Sequence, residues 1–175
     1  MFFIRNIEII ISILKKRNFK FDKDLSDSML LEIIFCKLFS FIRSFKLVLR
    51  FKFFTLLFLG RNVAFSHLSN ITMGKMVSIG EYSYLSGLGK NKLNIGNNVN
   101  IGAFCRIAIS TTPYNLGEYI IIGNNVGIGE YSRIAGSGGL KIGDNTIIAQ
   151  YFSVHPENHI FSNTNMLIKD QGTKR

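Results

Sequence analysis

Tryptophan is absent from this chain of 175 residues, and cysteine occurs only twice, as Cys36 and Cys105. Two isolated cysteines do not make a disulfide framework, so we expect reduced thiols in a cytosolic protein. No stretch reaches the roughly 20 uncharged residues that a spanning helix needs, which argues against a transmembrane segment. The apolar run at 9–14 is short and precedes a basic cluster at 15–17, so we expect no secretory signal there.

Glycine is almost missing from the first third of the chain, where Gly60 is the only one before Gly74. Charge is divided at the same place. Residues 1–62 hold 12 Lys/Arg and 5 Asp/Glu, a net of +7, whereas residues 63–175 hold 9 and 6, a net of +3. The hydrophobic content of 47% excludes general disorder. We therefore predict a basic, amphipathic helical segment at 1–62 and a separate folded domain at 63–175.

Two helices are predicted in the basic segment. Residues 3–16 are predicted as a helix with Ile7, Ile10, Ile11 and Leu14 on one stripe. A second helix spans 29–50, with Asp27 or Ser28 as its cap. At helical spacing the second helix has a polar face of Glu32, Ser40, Arg43, Lys46 and Arg50. Its opposite, apolar face comprises Leu31, Leu38, Phe41, Ile42, Phe45 and Leu49.

This amphipathic pattern has two interpretations. The helix can lie at a membrane interface with its basic face towards the head groups, giving a peripheral membrane contact through 29–59 at the inner face of the membrane. Alternatively it packs on the rest of the chain or on a partner subunit. Nucleic acid is disfavoured as a partner, because the basic residues are spaced among aliphatic ones and no recognition motif is present.

An internal repeat with a six-residue step occupies 73–154. Its large aliphatic positions are Met73, Ile79, Leu85, Ile95, Ile101, Ile107, Ile122, Ile128, Ile134, Ile142, Ile148 and Val154. A small residue follows eleven of the twelve, and His155 follows the last. A fixed short period of this kind predicts a solenoid.

Three six-residue sides make one coil, and the triplets that begin at 73, 95, 122 and 142 predict about four coils. Extra residues between triplets predict loops, of which the longest, at 110–121, contains Tyr114. Loops on a rigid scaffold commonly carry functional sites. The pairs Asn97-Asn98, Asn124-Asn125 and Asp144-Asn145 are expected at corners, because Asn and Asp tolerate left-handed backbone geometry.

The repeat resembles the hexapeptide-repeat acyltransferases, including polysaccharide and O-antigen O-acetyltransferases and maltose and galactoside acetyltransferases. The resemblance covers about 73–172 and implies an all-β solenoid, a left-handed parallel β-helix, after the α-helical N-terminal segment. General rules favour right-handed crossovers, so the left-handed sense comes from the resemblance alone. It also implies a homotrimer with sites between neighbouring subunits.

The same resemblance selects a histidine. Residues 148–154, Ile-Ala-Gln-Tyr-Phe-Ser-Val, match the coil that precedes the family's active-site histidine, and that register points to His159. Phe161, Asn163, Ile168, Gln171 and Gly172 resemble the polysaccharide branch. The implied reaction is acetyl transfer from acetyl-CoA to a glycan hydroxyl in the cytoplasm, with His159 as general base and no metal. Candidate substrate contacts are His155, Glu157, Asn158 and Tyr114, with Glu157 or a backbone carbonyl left to orient the ring.

Two alternatives stay open. A solvated loop histidine is the ordinary interpretation of His159 when the repeat is ignored, and a β-helix carbonic anhydrase would need a third histidine where only the distant His67 is present. In addition, the family continues past Gln-Gly with an Ile-Gly-x-x-x-Trp-Ile-Gly segment that this sequence lacks. The resemblance therefore also allows a truncated, catalytically inactive hexapeptide-repeat protein with a structural or membrane-associated role.

Overall fold

The computed structural model describes residues 2–15, 18–50 and 56–175, with side chains described for 7–14, 18–50 and 56–175. Helix α1 spans Phe2–Lys15, and α2 spans Asp27–Ser44 and continues as a 3-10 helix, Phe45–Arg50. Both predicted helices are thus present. The cap of α2 is Ser26, whose Oγ accepts a hydrogen bond from the N–H of Met29, and not Asp27 or Ser28.

Three parallel sheets and one antiparallel pair follow the helices in the described part of the chain. The first contains β1 (Leu57–Leu59), β4 (Val77–Ile79), β7 (Asn100–Ile101), β10 (Gly127–Ile128) and β13 (Ile147–Ile148). The second contains β2 (Ala64–Ser66), β5 (Tyr84–Ser86), β8 (Arg106–Ala108), β11 (Arg133–Ala135) and β14 (Ser153–Val154). The third contains β3 (Ile71–Met73), β6 (Leu93–Ile95), β9 (Ile120–Ile122) and β12 (Leu140–Ile142). An antiparallel pair follows, β15 (Asn158–His159) with β16 (Thr173–Lys174).

The described chain visits the three sheets in turn, which makes, within residues 56–175, a parallel β-helix of four complete coils and two sides of a fifth. Predicted repeat positions pair with one another across coils: Ile79 with Ile101, Ile101 with Ile128, and Ile128 with Ile148. The solenoid predicted from the six-residue step is therefore confirmed. The solenoid begins before the change in composition at residue 62, because β1 spans Leu57–Leu59 and pairs with β4. The left-handed sense of winding stays an expectation from the resemblance.

The interior of the solenoid is a column of aliphatic side chains. Leu57, Leu85, Leu93, Ile107 and Ile120 are all fully buried, with no measurable exposure. Free Cys105 is buried in the same column, whereas the free thiol of Cys36 is exposed on α2. Burial of this continuous apolar column supplies the main drive for stacking the coils.

Two corners of the coil require left-handed backbone. At one corner Asn98, Asn125 and Asn145 have φ between 54° and 59°, as predicted for Asn, and their side-chain amides hydrogen-bond from coil to coil at 2.9 and 3.0 Å. At another corner the left-handed residues are aromatic: Tyr82, Phe104, Tyr131 and Tyr151. Their rings stack with centroids 5.1–5.2 Å apart and planes within 6°. The aromatic corner was not anticipated, because aromatic residues seldom adopt positive φ.

Helix α2 packs against β1 at the edge of the first coil. Arg43 donates a hydrogen bond to the carbonyl of Leu59 at 3.3 Å. Lys46 donates to the carbonyl of Val63 at 2.5 Å. Further along, Arg50 donates to the carbonyl of Phe65 at 3.1 Å. The predicted basic face of the helix therefore contacts the solenoid edge.

The carbonyls that these side chains reach are the ones that a preceding coil would bind. In the next coil, the matching carbonyls of Ile79 and Ser83 accept the N–H groups of Gly60 and Ala64. The first coil has no such neighbour within the described residues. Arg43, Lys46 and Arg50 supply side-chain donors in its place, which satisfies an edge that would otherwise be open to pairing.

The apolar face of α2 points outward. Leu31, Leu38, Ile42, Phe45 and Leu49 are 46–83% exposed, whereas Phe41 is half-buried against Phe58. Of the segment 29–59 that was predicted for membrane contact, residues 51–55 lie outside the described residues. No helix within residues 2–15, 18–50 and 56–175 is both long enough and apolar enough to cross a membrane.

We predict that Lys46→Met lowers the free energy of unfolding by about 1 kcal/mol, because the Val63 carbonyl loses a charged donor at a partly covered edge. Urea denaturation followed by circular dichroism measures the change. Lys75→Met is the matched control, since Lys75 is exposed and its ammonium makes no hydrogen bond to any side chain or backbone group that the structure describes. Equal effects of the two substitutions would contradict the edge-capping role.

Candidate functional site

A cavity of about 320 Å³ lies beside the outer face of the second sheet, where the 110–121 insertion meets the chain that follows β14. These two segments contribute Thr111, Thr112, Asn115, His155, Glu157 and His159 to its lining. The predicted insertion and the predicted histidine segment are thus brought together. The rigid coils position them from below, and the β15–β16 pair closes one side.

The floor of the cavity carries two arginines in register. Arg106 in β8 pairs with Arg133 in β11, and both side chains face outward into the cavity. The guanidinium of Arg106 also lies 4.6 Å from the ring centroid of Tyr84, its partner on the other side. Neither arginine forms an ion pair with any residue of the described ranges. Two adjacent, uncompensated guanidinium groups suit an anionic ligand group.

The two histidines differ in their partners. His155 Nε2 lies 3.0 Å from Ser153 Oγ, so one ring nitrogen is held by a hydroxyl. The ring of His159 has no hydrogen-bond partner within the described part of the chain, and its backbone is fixed by the pairing of β15 with β16. A tight turn separates them, in which the N–H of Glu157 donates to the carbonyl of His155 at 2.9 Å. His159 therefore has both ring nitrogens available to a ligand.

Glu157 acts as a junction between the insertion and the hairpin. Its carboxylate is 15% exposed, accepts a hydrogen bond from Asn115 Nδ2 at 3.2 Å, and lies 3.7 Å from Arg175 Nε. Burial acts to raise the pKa of Glu157, but hydrogen bonds from Thr173 and Ser137 and the charge of Arg175 outweigh it and lower that pKa. No hydrogen bond joins Glu157 to either histidine ring among the described residues.

Arg175 ties the insertion to the hairpin from the other side. Its Nη1 donates to Glu118 Oε1 at 2.8 Å, and its Nη2 donates to Asn115 Oδ1 at 2.6 Å and to the Leu116 carbonyl at 2.9 Å. Contacts across nearly 60 residues leave no local pattern in the sequence, so sequence reasoning had no signal for them. The arginine pair could have been predicted, because Arg106 and Arg133 each directly precede a repeat isoleucine and so occupy the same position in successive coils.

The remaining predicted residues lie outside the cavity lining. Tyr114 is on the insertion, but its side chain is 89% exposed. Asn158 is exposed in β15, between two residues that do line the cavity. His67 lies on the first coil, where its Nδ1 is 2.7 Å from Ser66 Oγ.

Comparisons of the chain with protein-family models, with curated proteins and with solved structures found no match. The cavity itself is therefore the basis for a functional conclusion. Among the residues that the structure describes, it combines a histidine ring without a hydrogen-bond partner, a histidine bound to a hydroxyl, and two arginines without an ion pair. This set can move a proton and hold an anion at the same place.

We predict that the junction at Glu157 weakens in acid. Because the folded-state pKa is lowered, its contribution to stability is present above the ordinary value of about 4.5 and is lost as pH falls through the folded value. Glu157→Gln should therefore reduce the loss of unfolding free energy between neutral pH and about pH 3. Urea denaturation at a series of pH values measures this loss.

The control for this experiment is Glu81→Gln, which changes an exposed carboxylate that has no ion pair with any described residue. Glu118 keeps part of the acid sensitivity in the variant, because hydrogen bonding from Lys90 is the main cause that lowers its pKa. An acid profile of Glu157→Gln identical to that of the unmodified protein would show that the junction contributes nothing.

Proposed function

We propose that this protein is an O-acyltransferase that moves an acetyl group from acetyl-CoA to a hydroxyl of a sugar or polysaccharide precursor. The observation that supports it most is the cavity in which His159, His155 and Glu157 meet the Arg106–Arg133 pair. Histidine suits proton transfer because the ordinary pKa of its side chain lies near neutral pH. The arginines are suited to binding phosphate or carboxylate groups. The resemblance of the repeat to hexapeptide acyltransferases favours acyl transfer over other proton-transfer reactions.

His159 is the general base of the proposed reaction. One of its free ring nitrogens takes the proton of the acceptor hydroxyl while the hydroxyl oxygen bonds to the thioester carbon. The carbon–sulfur bond then breaks, and the imidazolium returns the proton to the departing sulfur. The balance is one C–O bond formed, one C–S bond broken and one proton moved from oxygen to sulfur, with no acyl-enzyme. Cys105 is buried in the core, away from this cavity.

The other lining residues have supporting roles in this proposal. Arg106 and Arg133 bind phosphate groups of the donor or an anionic group of the acceptor, because guanidinium forms paired hydrogen bonds with such oxygens. His155, whose Nε2 already engages Ser153, contacts substrate through its remaining ring nitrogen. Glu157 positions the hairpin that carries His159 and does not orient the ring directly. A homotrimer in the cytoplasm is part of the same proposal.

The decisive variant is His159→Asn, which preserves polarity and approximate size but removes the base. We expect acetyl transfer to a responsive glycan to fall by about 10²–10⁴-fold. Transfer is measured by mass spectrometry of the acetylated product, after a panel of glycans has been screened with acetyl-CoA. Circular dichroism and size-exclusion chromatography confirm that the fold and the oligomeric state are retained.

Two further variants serve as controls. His67 lies on the first coil, outside the cavity, so His67→Asn should leave the rate of acetyl transfer unchanged. His155→Asn should raise KM more than it lowers kcat, because His155 is assigned to substrate contact. If His155→Asn abolishes transfer while His159→Asn retains it, the assignment of the base is wrong. Failure of the unmodified protein to acetylate any glycan would favour the non-catalytic alternative.

A further inference from the structure

A second cavity, of about 430 Å³, lies at the other end of the molecule, between the two helices and the outer face of the first sheet. Helix α1 contributes Ile7, Ile11 and Leu14, and the segment after it contributes Phe19 and Phe21. Its volume falls within the range of about 300–1,000 Å³ that is typical of small-ligand sites. Nothing in the proposed acyl transfer uses this space.

The walls of this cavity are predominantly aliphatic and aromatic. Leu30 and Ile34 of α2 and Phe58 of β1 face the residues of α1 across it. Leu14 and Ile33 line the cavity and are also 45% and 44% exposed, so the cavity opens to the surface between the helices. An occupant with an apolar chain would bury hydrocarbon here at a gain of about 25 cal/mol per Å² of apolar surface.

One cation lines this apolar space. The ammonium of Lys37 donates to Ser78 Oγ at 3.3 Å and lies 5.4 Å from the ring centroid of Phe58. It forms no ion pair with any carboxylate in the described ranges. Lys37 is exposed as a whole residue, and partial burial of its ammonium against the cavity lowers its pKa. An anion beside Lys37 would compensate that charge.

We infer that this cavity binds an anionic amphiphile, with its hydrocarbon chain between the helices and its carboxylate or phosphate head group on Lys37. The apolar walls disfavour a sugar or nucleotide, and the lysine disfavours a cationic head group. The same chemistry is available from a free fatty acid or from an anionic membrane lipid. Helix α1 also exposes Ile10 and Ile13, which suits contact with either source. This inference does not depend on the proposed acetyl transfer.

The first test compares three twelve-carbon probes with the full-length chain by isothermal titration calorimetry. Laurate, dodecyl maltoside and dodecyltrimethylammonium share a tail and differ in head-group charge, and each is used below its micelle concentration. We expect one-to-one binding of laurate, with the neutral and cationic probes weaker by about tenfold or more. Phosphatidylglycerol and phosphatidylcholine vesicles, in a sedimentation assay, test the membrane source.

Substitutions distinguish binding through the head group from non-specific hydrophobic binding. Lys37→Gln should remove the preference for laurate, whereas Lys23→Gln, at an exposed lysine outside the cavity, should leave it intact. Ile33→Glu places a carboxylate four residues before Lys37, where it can pair with the ammonium along the helix and compete with the ligand. Ile33→Gln is its neutral, equally sized control. Circular dichroism verifies that each variant is folded.

Binding of laurate that depends on Lys37 and is lost in Ile33→Glu, but not in Ile33→Gln, supports the inference with a free amphiphile as ligand. Binding that needs Lys37 and occurs only on phosphatidylglycerol vesicles supports it with the bilayer as source. The inference is overturned if neither laurate nor anionic vesicles bind. It is equally overturned if all three probes bind alike and Lys37→Gln changes nothing.

Discussion

The hydrogen-bond register between successive coils is the constraint on which the rest of this structure depends. Each strand is only two or three residues long, so no coil is stable by itself, and every coil satisfies its backbone by pairing with its neighbours. That requirement fixes which residues stack: repeat aliphatics inward, asparagines along one corner and aromatic rings along another. It also leaves carbonyls of the first coil without a backbone partner among the described residues, and three basic side chains of the N-terminal segment donate to them instead.

The same register builds both cavities. It aligns Arg106 with Arg133 on one outer face, and it carries the insertion and the histidine hairpin to positions above them. At the other end, fixing the basic side of the second helix on the coil edge turns its aliphatic residues away from the edge. Other residues of this helix, among them Leu30 and Ile34, lie over the first sheet and line the second cavity together with Lys37. The residues that line each cavity are therefore brought together by the hydrogen bonding of the backbone between coils.

Much of the fold could be predicted from sequence because its period is local. The six-residue step identifies the inward positions, and the pairs of Asn or Asp identify one corner of the coil. The orientation of the second helix could not be obtained in this way. Its polar face was also compatible with lipid head groups. The carbonyls at the edge of the first coil explain why that face contacts the solenoid, because Arg43, Lys46 and Arg50 donate hydrogen bonds to them. For the site, the histidine segment and the insertion were predicted, but Arg175 was not, since its partners lie far away in the chain.

The column of stacked aromatic rings has a spectroscopic consequence. The chain has no tryptophan, and three of its six tyrosines, Tyr82, Tyr131 and Tyr151, lie in this column with Phe104 between two of them. Parallel rings about 5 Å apart couple optically, so near-ultraviolet circular dichroism should report on stacking between particular coils. Fraying of the fifth coil would unstack Tyr151 alone. The near-ultraviolet circular dichroism of the stacked rings should therefore change as the solenoid unfolds from this end.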